Sequence, residues 1–206
     1  INNIEFDDQG YPIGFSKNSQ EVLVPAFISA YTGNSASSVG LNPITDKPKI
    51  NWSIQYDGLS EGLKDIFSRI SLRHSYRSNF TINNFQSNLN YSENSYNSAG
   101  DYESKVFFSN INLVEQFNPL ISLDLEFKNS LRLSFDVIKD RAASLSLANN
   151  LITESWGDEY SIGIGYRARN LKLWSRFASA GNRFIGDLNT KLDFNIRKNM
   201  TVIRNL

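Results

Sequence analysis

The fold of this chain is decided between Phe127 and Leu173, where the sequence reads FKNSLRLSFDVIKDRAASLSLANNLITESWGDEYSIGIGYRARNLKL. Apolar and polar residues alternate on both sides of Asn149-Asn150, and a period of two is that of a β-strand. Turn residues bracket the two runs at Lys128–Ser130 and at Arg169-Asn170. The pattern therefore predicts one long hairpin that reverses at Asn149-Asn150.

A second arrangement of turns would give two shorter hairpins instead. In that alternative the chain also reverses at Lys139–Arg141, inside the first run. The long hairpin is favoured because Ala143, Leu145 and Leu147 continue the apolar positions of the first run in phase.

Composition excludes several classes of protein and leaves two open. The 206 residues contain 21 basic and 21 acidic side chains and no Cys. There is thus no basic footprint for nucleic acid, no disulfide framework, and no apolar run near the ~18 residues of a membrane-spanning helix. A β-barrel remains open because its lipid-facing residues alternate with lumen-facing ones, and so does a soluble sandwich.

The first part of the chain differs from the rest. We expect residues 1–50 to form an irregular loop that contacts a plug, and residues 51–206 to carry the strands of a barrel wall that is part of a larger barrel. One short amphipathic helix is predicted near residues 59–67, where Leu59, Leu63 and Ile66 recur at helical spacing. The chain begins without Met and stops inside a strand-like run, which we interpret as a piece of a longer protein.

Basic residues next to an Asn recur in three strings, at 127–129, 166–170 and 196–199. Each string is predicted to form a tight turn at one end of the sheet. Longer excursions are expected at the other end, around 92–103, 149–155 and 178–183, with a turn at Ala180-Gly181-Asn182. Short turns on one side and long loops on the other are typical of an outer-membrane meander.

These patterns predict an all-β fold, a segment of an antiparallel, up-and-down transmembrane β-barrel with long strands and long loops. Sandwich strands cluster near about 5–6 residues, and the runs here are much longer. In a barrel the apolar residues meet lipid and the mixed charges of the opposite face pair in the lumen. The residues predicted to face lipid are Leu123, Leu125, Phe127, Leu131, Leu133, Phe135, Ile162, Ile164, Leu192 and Phe194.

Several strings of residues resemble one family of giant outer-membrane proteins, the SprA or Sov family. The strings are Val22–Gly33 (VLVPAFISAYTG), Leu41–Pro43, Asn51–Ser60 (NWSIQYDGLS), Leu72–Ser78 (LRHSYRS), Glu115–Ile121 (EQFNPLI) and Leu145–Glu154 (LSLANNLITE). The likeness runs over most of the chain, and the strings follow the order expected near the C-terminal end of a much longer protein. Thr45–Pro48 departs from the more proline-rich, apolar link expected before Trp52.

The resemblance implies a function as well as a location. Members of this family are translocons of the type IX secretion system of Bacteroidetes, in the bacterial outer membrane, and are tied to gliding motility. They conduct folded secreted proteins to the cell surface, together with a PorV-like partner barrel and a plug protein. The resemblance therefore implies that this chain is part of a conduit wall, with lipid, the rest of its own barrel and secreted proteins as its partners.

The sequence predicts no catalytic residue, no metal ligand and no cofactor. His74 is the only histidine, and Ser75 beside it points to the opposite face of a strand, so the two form no nucleophile–base pair. Trp52 is predicted to lie in an aromatic girdle, whereas Trp156 and Trp174 are assigned to the polar faces of their strands.

The apolar run near Pro25 has two interpretations. It packs against the barrel, or it is a contact surface for a partner or plug. The residues of that contact surface would be Val22, Leu23, Phe27, Ile28 and Tyr31.

Three other functions stay open at this point. One is an outer-membrane receptor or transporter barrel for small nutrients, and another is an outer-membrane hydrolase, for which a Ser–His pair on one face is missing. The third is a soluble surface sandwich used for adhesion, in which a second sheet would cover Leu125 and Ile164.

Overall fold

The computed structural model describes residues 5–8, 10–33, 50–93, 95–173 and 184–206. Its elements, in chain order, are α1 (Gln20–Thr32), β1 (Trp52–Tyr56), a 3₁₀ turn (Gly58–Ser60), β2 (Phe67–Asn83), β3 (Gln86–Ser87), β4 (Val106–Phe107), β5 (Asn110–Phe127), β6 (Leu131–Ser146), β7 (Leu151–Leu173) and β8 (Phe184–Asn205). Six strands form one antiparallel sheet in the order β1-β2-β5-β6-β7-β8, and β3 pairs with β4. The prediction of an all-β, antiparallel fold is confirmed.

The long hairpin predicted at the centre of the sequence is present. β6 and β7 pair without interruption from Leu131↔Tyr166 to Ser146↔Leu151. Asn150 takes the left-handed conformation that the reversal requires, with φ 49°, which Asn tolerates better than most residues. The alternative with a turn at Lys139–Arg141 is wrong, because those residues lie in the middle of β6.

Two of the predicted tight turns are wrong. β7 continues through Arg169-Asn170 to Leu173, and the ladder to β8 only shifts register between Ala168 and Leu171, where Asn170 has φ 54°. An Asn in the left-handed region serves a bulge as well as a turn, so the local signal was ambiguous. Residues 196–199 lie inside β8.

The predicted split between short turns at one end of the sheet and long loops at the other is also wrong. The connection 84–109 and the tight turn 147–150 share one end, while 57–66 and 128–130 share the other. β7 ends and β8 begins at the 128–130 end, opposite to the expected position. The predicted turn at Ala180-Gly181-Asn182 falls outside the described residues.

Residues 1–50 contain a helix that the sequence interpretation missed. α1 places Leu23, Val24, Phe27, Ile28 and Tyr31 on one face, at helical spacing. The proline inside this run was interpreted only as a break in a strand, yet the helix continues through it and ends at Gly33, whose N–H donates to the Ser29 carbonyl at 3.0 Å.

The short helix predicted near residues 59–67 is wrong. Only the 3₁₀ turn Gly58–Ser60 forms, and β2 begins at Phe67. Leu59, Leu63 and Ile66 are all exposed, so the apolar stripe finds nothing to pack against. A helix this short is not stable without such packing. Among the described residues, no helix is both long and apolar enough to span a membrane.

The core lies under α1 at the end of the sheet that carries the 147–150 turn. Leu23, Val24 and Phe27 pack there on Ile111 and Leu145, both 0% exposed; Phe108 and Ala143 complete the buried cluster. Burying side chains of this size contributes about 1.5–3 kcal/mol each, so this contact holds α1 on the sheet.

A break in the β5 ladder is closed by side chains of β2. Pro119 lacks an N–H, and pairing with β6 shifts between Phe117 and Ile121. The Ser75 hydroxyl donates to the Asn118 carbonyl, and His74 Nδ1 lies 2.6 Å from the Leu120 carbonyl. Because a carbonyl only accepts, Nδ1 carries the proton. His74 thus satisfies backbone polar groups, in keeping with a structural role.

Candidate functional site: the two faces of the sheet

The sheet has one apolar face and one polar face, and the strand register fixes both. Directly paired residues lie on the same face, and three rows of apolar side chains cross the sheet on one side. They are Ile70–Leu125–Leu133–Ile164–Leu192, Leu72–Leu123–Phe135–Ile162–Phe194 and Ile121–Val137–Tyr160–Ile196. We call these three rows the belt.

The belt and the row beneath it contain every residue predicted to face lipid. Phe127 and Leu131 lie just below the belt on the same face. Phe194 is 57% exposed and Ile162 is 49% exposed, although both are large and apolar. On β8 the apolar residues run from Leu188 to Ile196, ~27 Å along the strand, or ~21 Å along the normal of a membrane for a strand tilted by ~40°.

A row of charged residues closes the belt at one margin. Lys139, Asp158 and Lys198 are paired across β6, β7 and β8, and Lys139 Nζ lies 3.3 Å from Asp158 Oδ1. We call these three residues the ionic row. Between this row and the 128–130 turn, the described residues of the apolar face of β5, β6, β7 and β8 carry no charged side chain.

Aromatic rings stand at both margins of the belt. Beside the ionic row, Trp52 stacks on Tyr76 at 4.4 Å between ring centroids, and Tyr76 lies 4.9 Å from Phe117. At the opposite margin Phe67 and Phe127 are 4.5 Å apart. Trp52 thus lies at the margin of the belt, and its place in an aromatic girdle stays a prediction.

The assignment of Trp156 to the polar face is wrong. It pairs with Arg141 and Met200 on the apolar face, because it has the same parity as Tyr160 on β7. Trp174 lies outside the described residues.

Beyond the ionic row the apolar face is covered by the chain itself. Glu154, which is 4% exposed, pairs with Arg141 at 3.3 Å and with Arg204, and the Tyr31 ring lies 4.6 Å from the Arg141 guanidinium. This network joins α1 to three strands. A buried carboxylate needs such partners, since an unpaired one would cost several kcal/mol.

The residues of the predicted partner or plug surface lie in α1. Leu23 and Phe27 are buried against the sheet of this chain, which supports the packing interpretation for these two. Val22, Ile28 and Tyr31 are half-buried. Contact of these residues with a partner or plug stays a prediction.

One titratable group at the start of α1 is perturbed. Burial raises the pKa of the Glu21 carboxyl, and a hydrogen bond donated by the Ser104 hydroxyl opposes part of that rise. Desolvation disfavours the charged form of a carboxyl. The contact between α1 and the 84–109 connection is therefore sensitive to the protonation of Glu21.

The polar face carries ion pairs of both signs. Arg73 pairs with Asp124 at 2.7 Å and Arg132 with Glu126 at 3.0 Å; Arg197 reaches both Asp140, at 2.8 Å, and Glu159, at 3.0 Å. Arg197 and Asp140 meet above Gly157, where a Cβ atom would lie 2.6 Å from Asp140 Oδ1. Glycine leaves the space that this cross-strand pair occupies.

Much of the belt is exposed although its side chains are large and apolar. Leu192, Phe194 and Ile196 of the belt are 55%, 57% and 74% exposed, whereas its members Ile70 and Val137 are buried. On the polar face Ser71 and Ser122 are buried. In the described part of the chain, no group of three or more His, Cys, Asp or Glu side chains is placed to hold a metal ion. The sheet thus carries an apolar surface on one face and an ion-paired polar surface on the other.

A scan against models of known protein families finds no match to this chain. A search of curated proteins likewise finds no match.

Proposed function

We propose that this chain is a section of the wall of a transmembrane β-barrel in the bacterial outer membrane. The barrel conducts folded secreted proteins to the cell surface in type IX secretion and thereby serves gliding motility. One observation carries the barrel proposal: three apolar rows cross the sheet in register, largely exposed on one face, opposite an ion-paired polar face.

The apolar face is covered on one side of the ionic row and exposed on the other. On one side Ile111 and Leu145 are fully buried under α1, so the chain supplies its own cover there. On the other side Ile162 and Phe194 remain about half exposed. The uncovered height of ~21 Å is close to the ~25 Å apolar band of outer-membrane barrels. Lipid is the environment that fits the uncovered part.

The polar face fits a water-filled lumen. Its charges pair across neighbouring strands, for example Arg73 with Asp124 and Arg197 with Asp140. Paired charges on a water-facing wall need no further partner and leave little net charge at any one place on the surface. A wall of this kind lets a passing protein slide without binding it, and the proposed role of the chain involves no catalysis and no cofactor.

The secretion part of the proposal comes from the resemblance to the SprA or Sov family. On this proposal the rest of the same barrel continues the sheet, and a PorV-like partner barrel and a plug protein act with it. The strings that carry the resemblance include Asn51–Ser60 and Leu72–Ser78, which form β1 and part of β2.

Spin labels test the barrel wall. Labels at Leu125, Leu133 and Ile164 of the full-length protein in lipid vesicles should be accessible to oxygen and shielded from a water-soluble nickel complex. Labels at Ser134 and Asn195 on the polar face should show the reverse. Water-accessible or protein-buried labels at the three belt positions would end the proposal.

Photo-crosslinking in cells tests the conduit. A benzoylphenylalanine at Asn195, on the polar face, should capture secreted proteins in transit, while the same group at Phe194, one residue along β8, should capture lipid. A nutrient transporter would give no secreted-protein adduct at Asn195. That result would leave the barrel wall intact and remove the secretion function.

A further inference from the structure

Among the described residues, the ionic row leaves one positive charge without an ion-pair partner. Asp158 lies between Lys139 and Lys198 in the register of β6, β7 and β8. Asp158 pairs with Lys139 at 3.3 Å, and Lys198 has no ion-pair partner within the described ranges. Because both lysines are on the apolar face, the free charge stands directly at the edge of the belt.

Two further hydrogen-bond donors flank the same position. Trp156 and Tyr160 precede and follow Asp158 on the same face of β7, ~7 Å from it along the strand. Neither the indole N–H nor the phenol O–H has a hydrogen-bond partner among the residues that the structure describes. We call Lys139, Lys198, Trp156 and Tyr160 the donor patch.

Resting on the proposed function, we infer that the donor patch binds the phosphate of an anionic phospholipid headgroup. A phosphate diester offers only hydrogen-bond acceptors. The exposed polar atoms of the donor patch are hydrogen-bond donors, and the one carboxylate beside them, Asp158, is ion-paired with Lys139. Lysine stems lie along apolar surface and carry their ammonium groups to the headgroup layer, where Trp and Tyr also concentrate. The acyl chains of the same lipid lie along the belt, beside the exposed Ile196 and Phe194.

The inference fixes the depth of the chain in the membrane. The ionic row marks the phosphate layer of one leaflet, so α1 and the 84–109 connection stand in water beyond it. The Arg–Glu network around Glu154 then lies outside the hydrocarbon, where an ion network is tolerated.

Met200 gives a site-specific probe of the donor patch. It pairs with Trp156, follows Lys198 on the same face and is 51% exposed. A benzoylphenylalanine replacing Met200 in the full-length protein is placed in nanodiscs of equimolar phosphatidylcholine and phosphatidylglycerol. Mass spectrometry of the adducts then gives the ratio of anionic to zwitterionic lipid at this one position.

With the crosslinker at position 200 and both lysines present, adducts of phosphatidylglycerol should outnumber those of phosphatidylcholine about fivefold, because a lysine near an anionic surface contributes about 1 kcal/mol. K139Q/K198Q should bring the ratio close to one. K172Q/K191Q removes the same charge from the opposite face of β7 and β8 and should leave the preference intact. An unchanged ratio in K139Q/K198Q overturns the inference.

Two further arms separate the possible failures. The same crosslinker at Ile162, inside the belt, should form lipid adducts in every variant; no lipid adduct there overturns the proposed function itself. Lipid adducts at Ile162 with no preference at Met200 overturn only the headgroup site. Inorganic phosphate at millimolar concentration should not abolish the preference, and its doing so would overturn the assignment to a lipid.

Discussion

A single arginine in the middle of the belt should be far more costly than its exposure suggests. Leu192 is 55% exposed and lies in one of the two belt rows that cross all five long strands. On the surface of a water-soluble protein, Leu192→Arg would change the free energy of unfolding by less than about 0.5 kcal/mol. In lipid the same change costs about 2–4 kcal/mol at the midplane of the bilayer.

The structure also predicts how this cost varies with depth. Leu188 and Ile196 lie ~13 Å from Leu192 along β8, which becomes ~10 Å along the membrane normal for a tilt of ~40°. Both are then close to an interface, where an arginine costs about 0–1 kcal/mol. A series of Arg substitutions at 188, 192 and 196 should therefore give its largest loss at Leu192.

The assay is urea unfolding of the full-length protein in phospholipid vesicles. The fraction that stays folded is read from its shifted mobility on unheated gels, and the midpoint shift gives the change in free energy at the wild-type slope. Asn195→Arg is the matched control, because Asn195 follows Phe194 on the same strand but lies on the polar face. Equal costs for Leu192→Arg and Asn195→Arg, or a flat series along β8, would refute the reasoning.

Three further changes test other parts of the structure by unfolding or hydrogen exchange. Leu145→Ala, at a fully buried position under α1, should lower the free energy of unfolding by about 2–5 kcal/mol, and a loss below 1 kcal/mol would contradict the packing of α1. Burial raises the pKa of Glu21 above 4.5, so its contribution to stability is fully present below pH 4.5 and is lost as pH rises through the raised pKa. Glu21→Gln should therefore increase the hydrogen-exchange protection of α1 at pH 7 and flatten the pH dependence of that protection. Gly157→Ala places a Cβ 2.6 Å from Asp140 Oδ1 and 2.8 Å from Arg197 Nη2. The urea midpoint should show a decrease of about 1 kcal/mol in the free energy of unfolding, because the ion pair is displaced. In an Asp140→Ala background this decrease should largely disappear.

The sequence was most informative where one face of a strand was consistent over its whole length. The phase of Ala143 and Leu145 with the earlier part of β6 predicted an uninterrupted strand, and the structure has it. The same parity assigns the belt residues to one face. A one-residue slip would invert every side chain, so a long alternating run fixes its own register almost completely.

The sequence was least informative where one residue type serves two backbone geometries. Asn150 and Asn170 both have positive φ, yet the first lies in a turn and the second in a bulge inside β7. Only the partner strand β8 decides between them, and it is distant in sequence. α1 was missed for a related reason, because Pro25 would interrupt a strand but is tolerated in this helix. The apolar face of α1 packs on residues about 90–120 positions away in the sequence, such as Ile111 and Leu145.

The apolar face is exposed on one side of the ionic row and covered by α1 on the other. More than a dozen large apolar side chains of that face are exposed on the belt side of the ionic row. If about half of the surface of each side chain is accessible, they expose an apolar area on the order of 1,000 Å². Monomeric soluble proteins rarely expose more than about 300–600 Å² in one patch. The chain has the means to cover such a surface, since α1 covers Ile111 and Leu145 of the same face a few residues further along the strands. The chain covers this face only beyond Lys139, Asp158 and Lys198. On the proposed function, the ionic row therefore marks the boundary at which the surrounding medium changes from hydrocarbon to water.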